Sequence, residues 1–138
     1  MILGIGVDSI EISRVVKAME KEHFVHRIFT EKERAEMEHT KRRGASDFAG
    51  KEAVVKAFGT GFAGIDACEV EILRRESGAP YVTLYGVARK KAEEMGITDW
   101  KISITNTKEV ATAFVIAVAD DVKAVSYTHL RAHETKAN

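Results

Sequence analysis

The chain has 138 residues, of which 45% are hydrophobic, enough for one compact domain with its own core. Its 21 basic and 21 acidic residues cancel, so no global field favours nucleic acid or an acidic membrane. Cys68 is the only cysteine, which excludes a disulfide framework or a thiolate zinc cluster and favours a reducing compartment. The first apolar run is broken at Asp8, too early for a signal peptide or a membrane span. We therefore expect a soluble cytoplasmic protein with neither a membrane nor a nucleic-acid partner.

A short apolar strand is predicted over residues 2–7. Side chains alternate across a strand, so Gly4, Gly6 and Asp8 share one face. Because glycine has no side chain, we expect open space on that face where Asp8 emerges.

Two helices are predicted next. Apolar residues recur at helical spacing over residues 12–19. Thr30 and Glu33 then match a capping box, which predicts the start of a second helix that fades near Gly44.

The central stretch, residues 47–61, is predicted to be a helix that is largely buried. Small and apolar residues occupy most of its circumference when plotted at about 100° per residue. The remaining sector carries Lys51, Glu52 and Lys56, and the helix runs out into a turn at Gly59. Such a sector is typical either of a phosphate or metal site or of a solvated, salt-bridged edge, and the spacing leaves both open.

The second half of the chain predicts strands and one further helix. The segment ESGAP predicts a hairpin turn, and Gly96 is typical of the end of a helix. The predicted elements are strands over residues 68–73 and 81–85, a helix over residues 87–95, and strands over residues 100–105 and 110–119. The last strand is almost wholly apolar and is expected to be central. This mixture predicts the α+β class, with helices packed on an antiparallel sheet.

Residues 121–138 are predicted to be a tail outside the domain, because the apolar periodicity stops after Asp120. His129 and His133 have the spacing of two metal ligands on one helical face. The sequence offers no third ligand, so a disordered or vector-derived end is favoured.

Asp8 and Glu52 are the candidate metal ligands. Two carboxylates with open coordination positions suit Mg²⁺, which keeps several waters and completes its shell with phosphate oxygens. Each residue has an alternative role: Asp8 with Glu11 matches a helix-capping pattern, and Glu52 with Lys56 has the spacing of a helical ion pair. The residues alone leave these alternatives open and do not name a reaction.

Motifs in four regions of the chain resemble those of the holo-acyl-carrier-protein synthases: GIGVDSIEISR, FVHRIFTEKE, FAGKEAVVKAFGTG and SGAPYVTL. The resemblance implies a 4′-phosphopantetheinyl transferase-like fold over residues 1–120, assembled as a homotrimer with active sites between subunits. It also implies transfer of the 4′-phosphopantetheine group from coenzyme A to a serine of acyl carrier protein, in fatty acid biosynthesis. Adenosine 3′,5′-bisphosphate would be the second product.

The same resemblance implies roles for individual residues. Asp8 and Glu52 would bind Mg²⁺ and, with Lys56, would be the catalytic residues. Arg14 matches the family arginine that meets acyl carrier protein. Lys21 and Arg27 lie near it in sequence, so we expect a basic patch that faces the carrier, with an ordinary solvated helix face as the alternative. The implied contacts with coenzyme A are Lys51, Lys56, Gly59, Pro80 and Asn106.

Two positions depart from the family pattern. Asn106 stands where the family often has histidine, and Asp47 stands where it commonly has arginine before Phe-Ala. Both changes remove positive charge where an anionic nucleotide is expected, so we expect weaker nucleotide binding, with Arg42 or Arg43 as candidates to offset it. Two rival functions remain open: another Mg²⁺-dependent phosphotransferase or hydrolase, and a non-catalytic binding domain.

Overall fold

The computed structural model describes residues 1–61 and 64–120. The elements in chain order are β1 (Ile2–Glu11), α1 (Ile12–Ala18), α2 (Glu22–Ile28), α3 (Glu31–Glu36), α4 (Lys41–Phe58), a 3₁₀ turn (Ala67–Glu69), β2 (Val70–Arg74), β3 (Pro80–Leu84), α5 (Gly86–Met95), β4 (Asp99–Asn106) and β5 (Val110–Val118). The predictions made for residues 121–138, including those for His129 and His133, lie outside the described residues.

The main sheet is antiparallel, with β5 between β1 and β4. The alternate residues of β5 that face α4 are fully buried alanines and a valine, which accounts for the apolar residues on that face of the strand. β2 and β3 form a separate antiparallel hairpin around the predicted ESGAP turn. The predicted α+β class and the central position of β5 are therefore confirmed.

Helix α4 lies directly on β1, and glycine makes this close packing possible. A Cβ atom added at Gly6 would overlap the carbonyl oxygen of Ala53, and one added at Gly4 would overlap that of Ala57. The expectation of open space beside Asp8 was therefore wrong, because the helix backbone fills it. The contact brings the side chains of α4 next to the face of β1 that carries Asp8.

The helical region before the centre differs from the prediction in three ways. Helix α2 was not predicted, since its N-cap Lys21 makes no side-chain capping bond that would mark its start. Helix α3 ends at Glu36 rather than near Gly44, and α4 begins at Lys41, six residues before the predicted start. No glycine or proline marks the break between α3 and α4, so this break carries no local stop signal.

Several local signals were read correctly. Thr30 and Glu33 form the predicted capping box, with each side chain accepting a backbone N–H of the other residue. Gly96 ends α5 with a left-handed backbone, φ 81°. Within residues 1–61 and 64–120, no helix combines the length and the apolar character needed to cross a bilayer.

Candidate active site

Asp8 and Lys56 meet where α4 crosses β1. The ammonium of Lys56 lies 3.0 Å from Asp8 Oδ1 and donates to the carbonyl oxygen of Val7 at 3.1 Å. Asp8 lies within β1 and does not cap a helix, because the strand continues to Glu11, which is the N-cap of α1. The capping alternative for Asp8 was therefore wrong.

The carboxylate of Asp8 has one oxygen left over. Asp8 Oδ2 is buried and has no hydrogen-bond partner among the described residues, although a buried carboxylate oxygen is costly to leave unsatisfied. Glu52 is half-buried nearby, and its pKa is raised by burial and next by the negative charge of Asp8, against the effect of Lys56. Asp8 and Glu52 therefore repel each other, and one oxygen of Asp8 lacks a partner. A cation bound by both carboxylates would remove the repulsion and supply that partner.

Lys56 does not form the helical ion pair with Glu52 that its spacing allows. In the part of the chain that the structure describes, its ion pair is with Asp8. About half of the Lys56 side chain remains exposed, so its charge stays accessible to a ligand beside the two carboxylates.

Lys51 was expected to contact substrate, and the structure contradicts this. Its side chain is fully buried, and its ammonium bonds Glu33 Oε1 at 2.8 Å and the carbonyl oxygens of Ala67 and Val70. All three donors of the ammonium are therefore used inside the protein. Burial raises the pKa of Glu33, against the effect of Lys51. This pair ties α3 and α4 to β2.

A second region of interest is a cavity of about 360 Å³ between the first half of α4, the β2–β3 hairpin and the end of β4. We call it the arginine cavity. Pro80 and Asn106, two of the predicted substrate contacts, lie in its wall, and the Asn106 amide donates to Ser46 Oγ at 2.7 Å. Its lining residues are Thr40, Arg42, Arg43, Ser46, Arg74, Gly78, Pro80, Ile104 and Asn106. The predicted offsetting cations, Arg42 and Arg43, are thus both present.

Asp47, the second departure from the family pattern, does not add an exposed negative charge to this cavity. It is fully buried and bonds Arg74 Nη1 through Oδ1 at 2.8 Å. Burial raises the pKa of Asp47 to about 7 in spite of Arg74 beside it. Sequence reasoning missed Arg74, since only the folded hairpin brings it to α4.

The remaining predicted residues lie at exposed positions. Gly59 ends α4 with a left-handed backbone, φ 82°, on the same end of the helix as Lys56. Arg14 lies on α1, Lys21 between α1 and α2, and Arg27 in the last turn of α2, all with exposed side chains. The Arg14 guanidinium lies 3.9 Å from the Glu11 carboxylate, and both side chains are well exposed.

Comparison with known proteins places this geometry in a class. The family model of the 4′-phosphopantetheinyl transferase superfamily matches residues 4–119. The chain therefore belongs to the 4′-phosphopantetheinyl transferase superfamily, and it has the fold of that family.

Individual relatives narrow the class. A holo-[acyl-carrier-protein] synthase of Lachnoclostridium phytofermentans is 53% identical over 116 residues, which cover 84% of this chain and 95% of the relative. An acyl carrier protein synthase of Plasmodium yoelii with ADP bound has a TM-score of 0.78 at 32% identity, covering 88% of this chain and 98% of that one. A holo-[acyl-carrier-protein] synthase of Helicobacter pylori in complex with coenzyme A has a TM-score of 0.74 at 26% identity, covering 83% and 99%. The resemblance drawn from the sequence motifs is confirmed.

Proposed function

We propose that the chain transfers the 4′-phosphopantetheine group of coenzyme A to a serine of acyl carrier protein, which converts the apo carrier to the holo carrier for fatty acid biosynthesis. The observation that carries the proposal is the pair of carboxylates, Asp8 and Glu52, beside the accessible ammonium of Lys56. Membership of the superfamily, and the activity named for the 53% identical relative, support the reaction class.

The carboxylate pair fits a bound Mg²⁺. Asp8 Oδ2 is buried and has no partner among the described residues, and the charge of Asp8 disfavours the ionised form of Glu52. Hard oxygen ligands with room for waters and phosphate oxygens are the donor set that Mg²⁺ prefers. When bound by Asp8 and Glu52, Mg²⁺ would supply Lewis-acid stabilisation of charge on the pyrophosphate of coenzyme A.

Lys56 performs the second electrostatic task. Its ammonium is fixed by Val7 and Asp8 and still reaches solvent, so it can donate to a phosphate oxygen whose negative charge grows during transfer. The serine oxygen of the carrier forms the new bond to phosphorus, and the bond from that phosphorus to the bridging pyrophosphate oxygen breaks. Adenosine 3′,5′-bisphosphate leaves with that oxygen. We assign the serine proton to no residue of this chain.

The nucleotide half of coenzyme A is assigned to the arginine cavity. Pro80 and Asn106 lie in its wall together with guanidinium groups that suit an anionic ligand. Gly59, without a side chain at the end of α4, would leave room for the pantetheine arm near Lys56. The Helicobacter relative that is in complex with coenzyme A supports this choice of ligand.

The active sites are proposed to lie between the subunits of a homotrimer. Ser46 lines the arginine cavity and Glu52 faces Asp8, and six residues of helix turn these two side chains about 120° apart. One chain therefore presents its two half-sites in different directions. The sheet face away from α4 exposes large apolar side chains, namely Ile5, Val7 and Phe114, which an assembly of chains would cover.

Arg14, Lys21 and Arg27 are proposed as the surface that meets acyl carrier protein. Arg14 lies on α1, Arg27 lies on α2 and Lys21 lies between the two helices, all at exposed positions. Basic side chains of this kind steer an acidic partner and raise its rate of association. We further propose that residues 1–120 form one domain and that the protein acts in the cytoplasm.

The test is to incubate the protein with apo acyl carrier protein, coenzyme A and Mg²⁺ and to weigh the carrier by mass spectrometry. The proposal predicts the mass increase of one phosphopantetheine group, which disappears when Mg²⁺ is chelated. Release of adenosine 3′,5′-bisphosphate without modification of the carrier would instead indicate a hydrolase. No reaction of coenzyme A at all would favour a binding domain.

Sites between subunits can be tested by mixing two inactive variants. Asp8→Asn removes a metal ligand, and Arg42→Glu reverses a charge in the arginine cavity. If each site takes its carboxylates from one chain and its cavity from the next, refolding the two variants together restores about a quarter of the sites. If each site lies within one chain, the mixture stays inactive.

A further inference from the structure

We infer that Arg74, held in place by the buried carboxyl group of Asp47, binds a phosphomonoester group of the nucleotide in the arginine cavity. Arg74 would thereby supply the cation that position 47 lacks in this chain. The inference rests on the proposed function, since it takes coenzyme A as the ligand.

Asp47 and Arg74 form a pair whose geometry fixes the direction of the arginine. Asp47 is fully buried on α4, and its Oδ1 accepts from Arg74 Nη1 at 2.8 Å. The side chain of Arg74 retains only 12% exposure, yet it forms part of the cavity wall. A mostly buried arginine that still reaches a cavity has a fixed direction, so a ligand need not order it.

The guanidinium of Arg74 has N–H donors that the bond to Asp47 does not use. A guanidinium carries five N–H donors in a planar fork. Among the described residues, the side-chain hydrogen bond of Arg74 is the one that Nη1 donates to Asp47. The other edge of the fork can donate to the oxygens of a phosphate group, which matches the spacing of a guanidinium.

The charged groups around Arg74 in the arginine cavity favour an anionic ligand. Arg42 uses its two terminal nitrogens on the carbonyl oxygens of Thr107 and Lys108, so it is oriented by neutral groups and keeps its positive charge. Arg43 lies 3.6 Å from Glu36, which compensates it in part. Burial raises the pKa of Asp47 against the effect of Arg74, which weakens the neutralisation of Arg74 by this carboxyl group. The cavity therefore retains net positive charge.

Coenzyme A carries a pyrophosphate and a phosphomonoester, and the two are assigned to different regions of the protein. The pyrophosphate is assigned to Asp8, Glu52 and Lys56, where the reacting phosphorus must lie. The phosphate that remains is the monoester on the ribose. A monoester carries up to two negative charges and three terminal oxygens near neutral pH, which suits a cavity lined by several guanidinium groups.

The experiment uses three variants of the full chain. Asp47→Asn/Arg74→Gln removes both charges of the pair and leaves no buried charge unpaired. Asp47→Asn keeps Arg74 and an oxygen to accept its hydrogen bond. Arg75→Gln is the matched control, because Arg75 is the next residue, stacks on Tyr81 at 4.7 Å and lies outside the cavity wall.

Two ligand pairs read out the phosphomonoester alone. Isothermal titration calorimetry compares adenosine 3′,5′-bisphosphate with adenosine 5′-monophosphate, and kinetics compare coenzyme A with 3′-dephospho-coenzyme A. The double variant should lose about tenfold in bisphosphate affinity and gain about tenfold in KM for coenzyme A. Its kcat should stay unchanged, because the lost contact is equally strong in the ground state and in the transition state. Its KM for 3′-dephospho-coenzyme A should also stay unchanged, because that substrate lacks the phosphate that Arg74 binds. Arg75→Gln should bind both nucleotides as the parent does, whereas Asp47→Asn, which removes the negative charge beside Arg74 and keeps an oxygen to accept its hydrogen bond, should bind the bisphosphate more tightly than the parent does and leave adenosine 5′-monophosphate binding unchanged.

The inference is overturned if the double variant keeps the parent's preference for the bisphosphate, or if both nucleotides weaken equally. Failure of the proposed function would look different. In that case the parent protein itself would not modify the carrier, whatever the variants did.

Discussion

Replacing Gly6 with alanine is expected to push α4 away from β1 and so to separate Asp8 from Glu52 and Lys56. The added Cβ would overlap the carbonyl oxygen of Ala53 and lie 2.8 Å from its carbonyl carbon and 2.9 Å from the backbone nitrogen of Ala57. All three atoms are helix backbone, which cannot rotate out of the way.

The size of the effect follows from the overlap. Restoring ordinary contact requires a displacement of about 1 Å or more, and overpacking of this kind costs about 1–3 kcal/mol of stability. A misplacement of about 1 Å in a catalytic site lowers the rate by about 100-fold. Because the displaced element carries two of the three proposed catalytic side chains, we expect the loss in kcat to exceed what the lost stability explains.

The control is Gly50→Ala, which adds the same methyl group to α4 itself. There the nearest atom is Ile72 Cγ1 at 3.1 Å, a side-chain atom that can move by a few tenths of an ångström, and alanine favours the helix by about 1 kcal/mol over glycine. Transfer kinetics and urea denaturation are measured for both variants. The reasoning is refuted if Gly6→Ala keeps the parent's kcat and stability, or if Gly50→Ala loses as much activity.

Further predictions concern the buried pairs and the carrier surface. Lys51→Met should lower the free energy of unfolding by about 3–5 kcal/mol in urea denaturation, because it leaves Glu33 charged and unpaired. Adding Glu33→Gln should restore most of that stability without changing the KM for coenzyme A. A raised KM would indicate that Lys51 contacts the substrate after all. The folded-state pKa of Asp47 is about 7 against an ordinary 3.8, so its contribution to stability is lost as pH rises from about 4 to about 7. Asp47→Asn should therefore gain stability relative to the parent over that range, and parallel denaturation curves would disprove the shift. Arg14→Glu should raise the KM for acyl carrier protein at low salt while the KM for coenzyme A stays constant, whereas Arg89→Glu on α5 should change neither value.

The parts of the fold that could be predicted are those with a local signal. The apolar run of β5, the capping box at Thr30 and the glycine at the end of α5 each report a structure fixed by neighbouring residues. Helix α2 and the break before α4 carry no such signal. Their ends depend on tertiary packing, which overrides weak local preference.

The site was predictable only in part, for a geometric reason. On a helix, Glu52 and Lys56 lie about 40° apart, whereas Lys51 lies about 100° from Glu52. The single polar sector read from the sequence is therefore two surfaces. One faces β1 and Asp8, and the other faces β2, where Lys51 meets Glu33 and Asp47 meets Arg74.

Family motifs pointed to Asp8 and Glu52 as metal ligands, but no motif pointed to Arg74. The role proposed for Arg74 depends on its contact with Asp47, which joins the hairpin to α4 across 27 positions in sequence. Asp47 in place of arginine predicted weaker nucleotide binding, because the sequence shows the charge at position 47 and not the Arg74 side chain that packs against it.

The proposal that Asp8 and Glu52 bind Mg²⁺ is tested most directly by Mg²⁺ titration and carrier mass measurement on three variants. These are Asp8→Asn, Glu52→Gln and the surface control Glu93→Gln. Glu93 carries an exposed carboxylate on α5 that pairs with Arg89. If Asp8 and Glu52 hold the metal, both site variants fold as the parent does, lose Mg²⁺ binding in the presence of coenzyme A, and transfer phosphopantetheine about 100-fold more slowly or worse, while Glu93→Gln is unchanged. Full-rate, Mg²⁺-dependent modification of the carrier by either site variant would contradict the assignment.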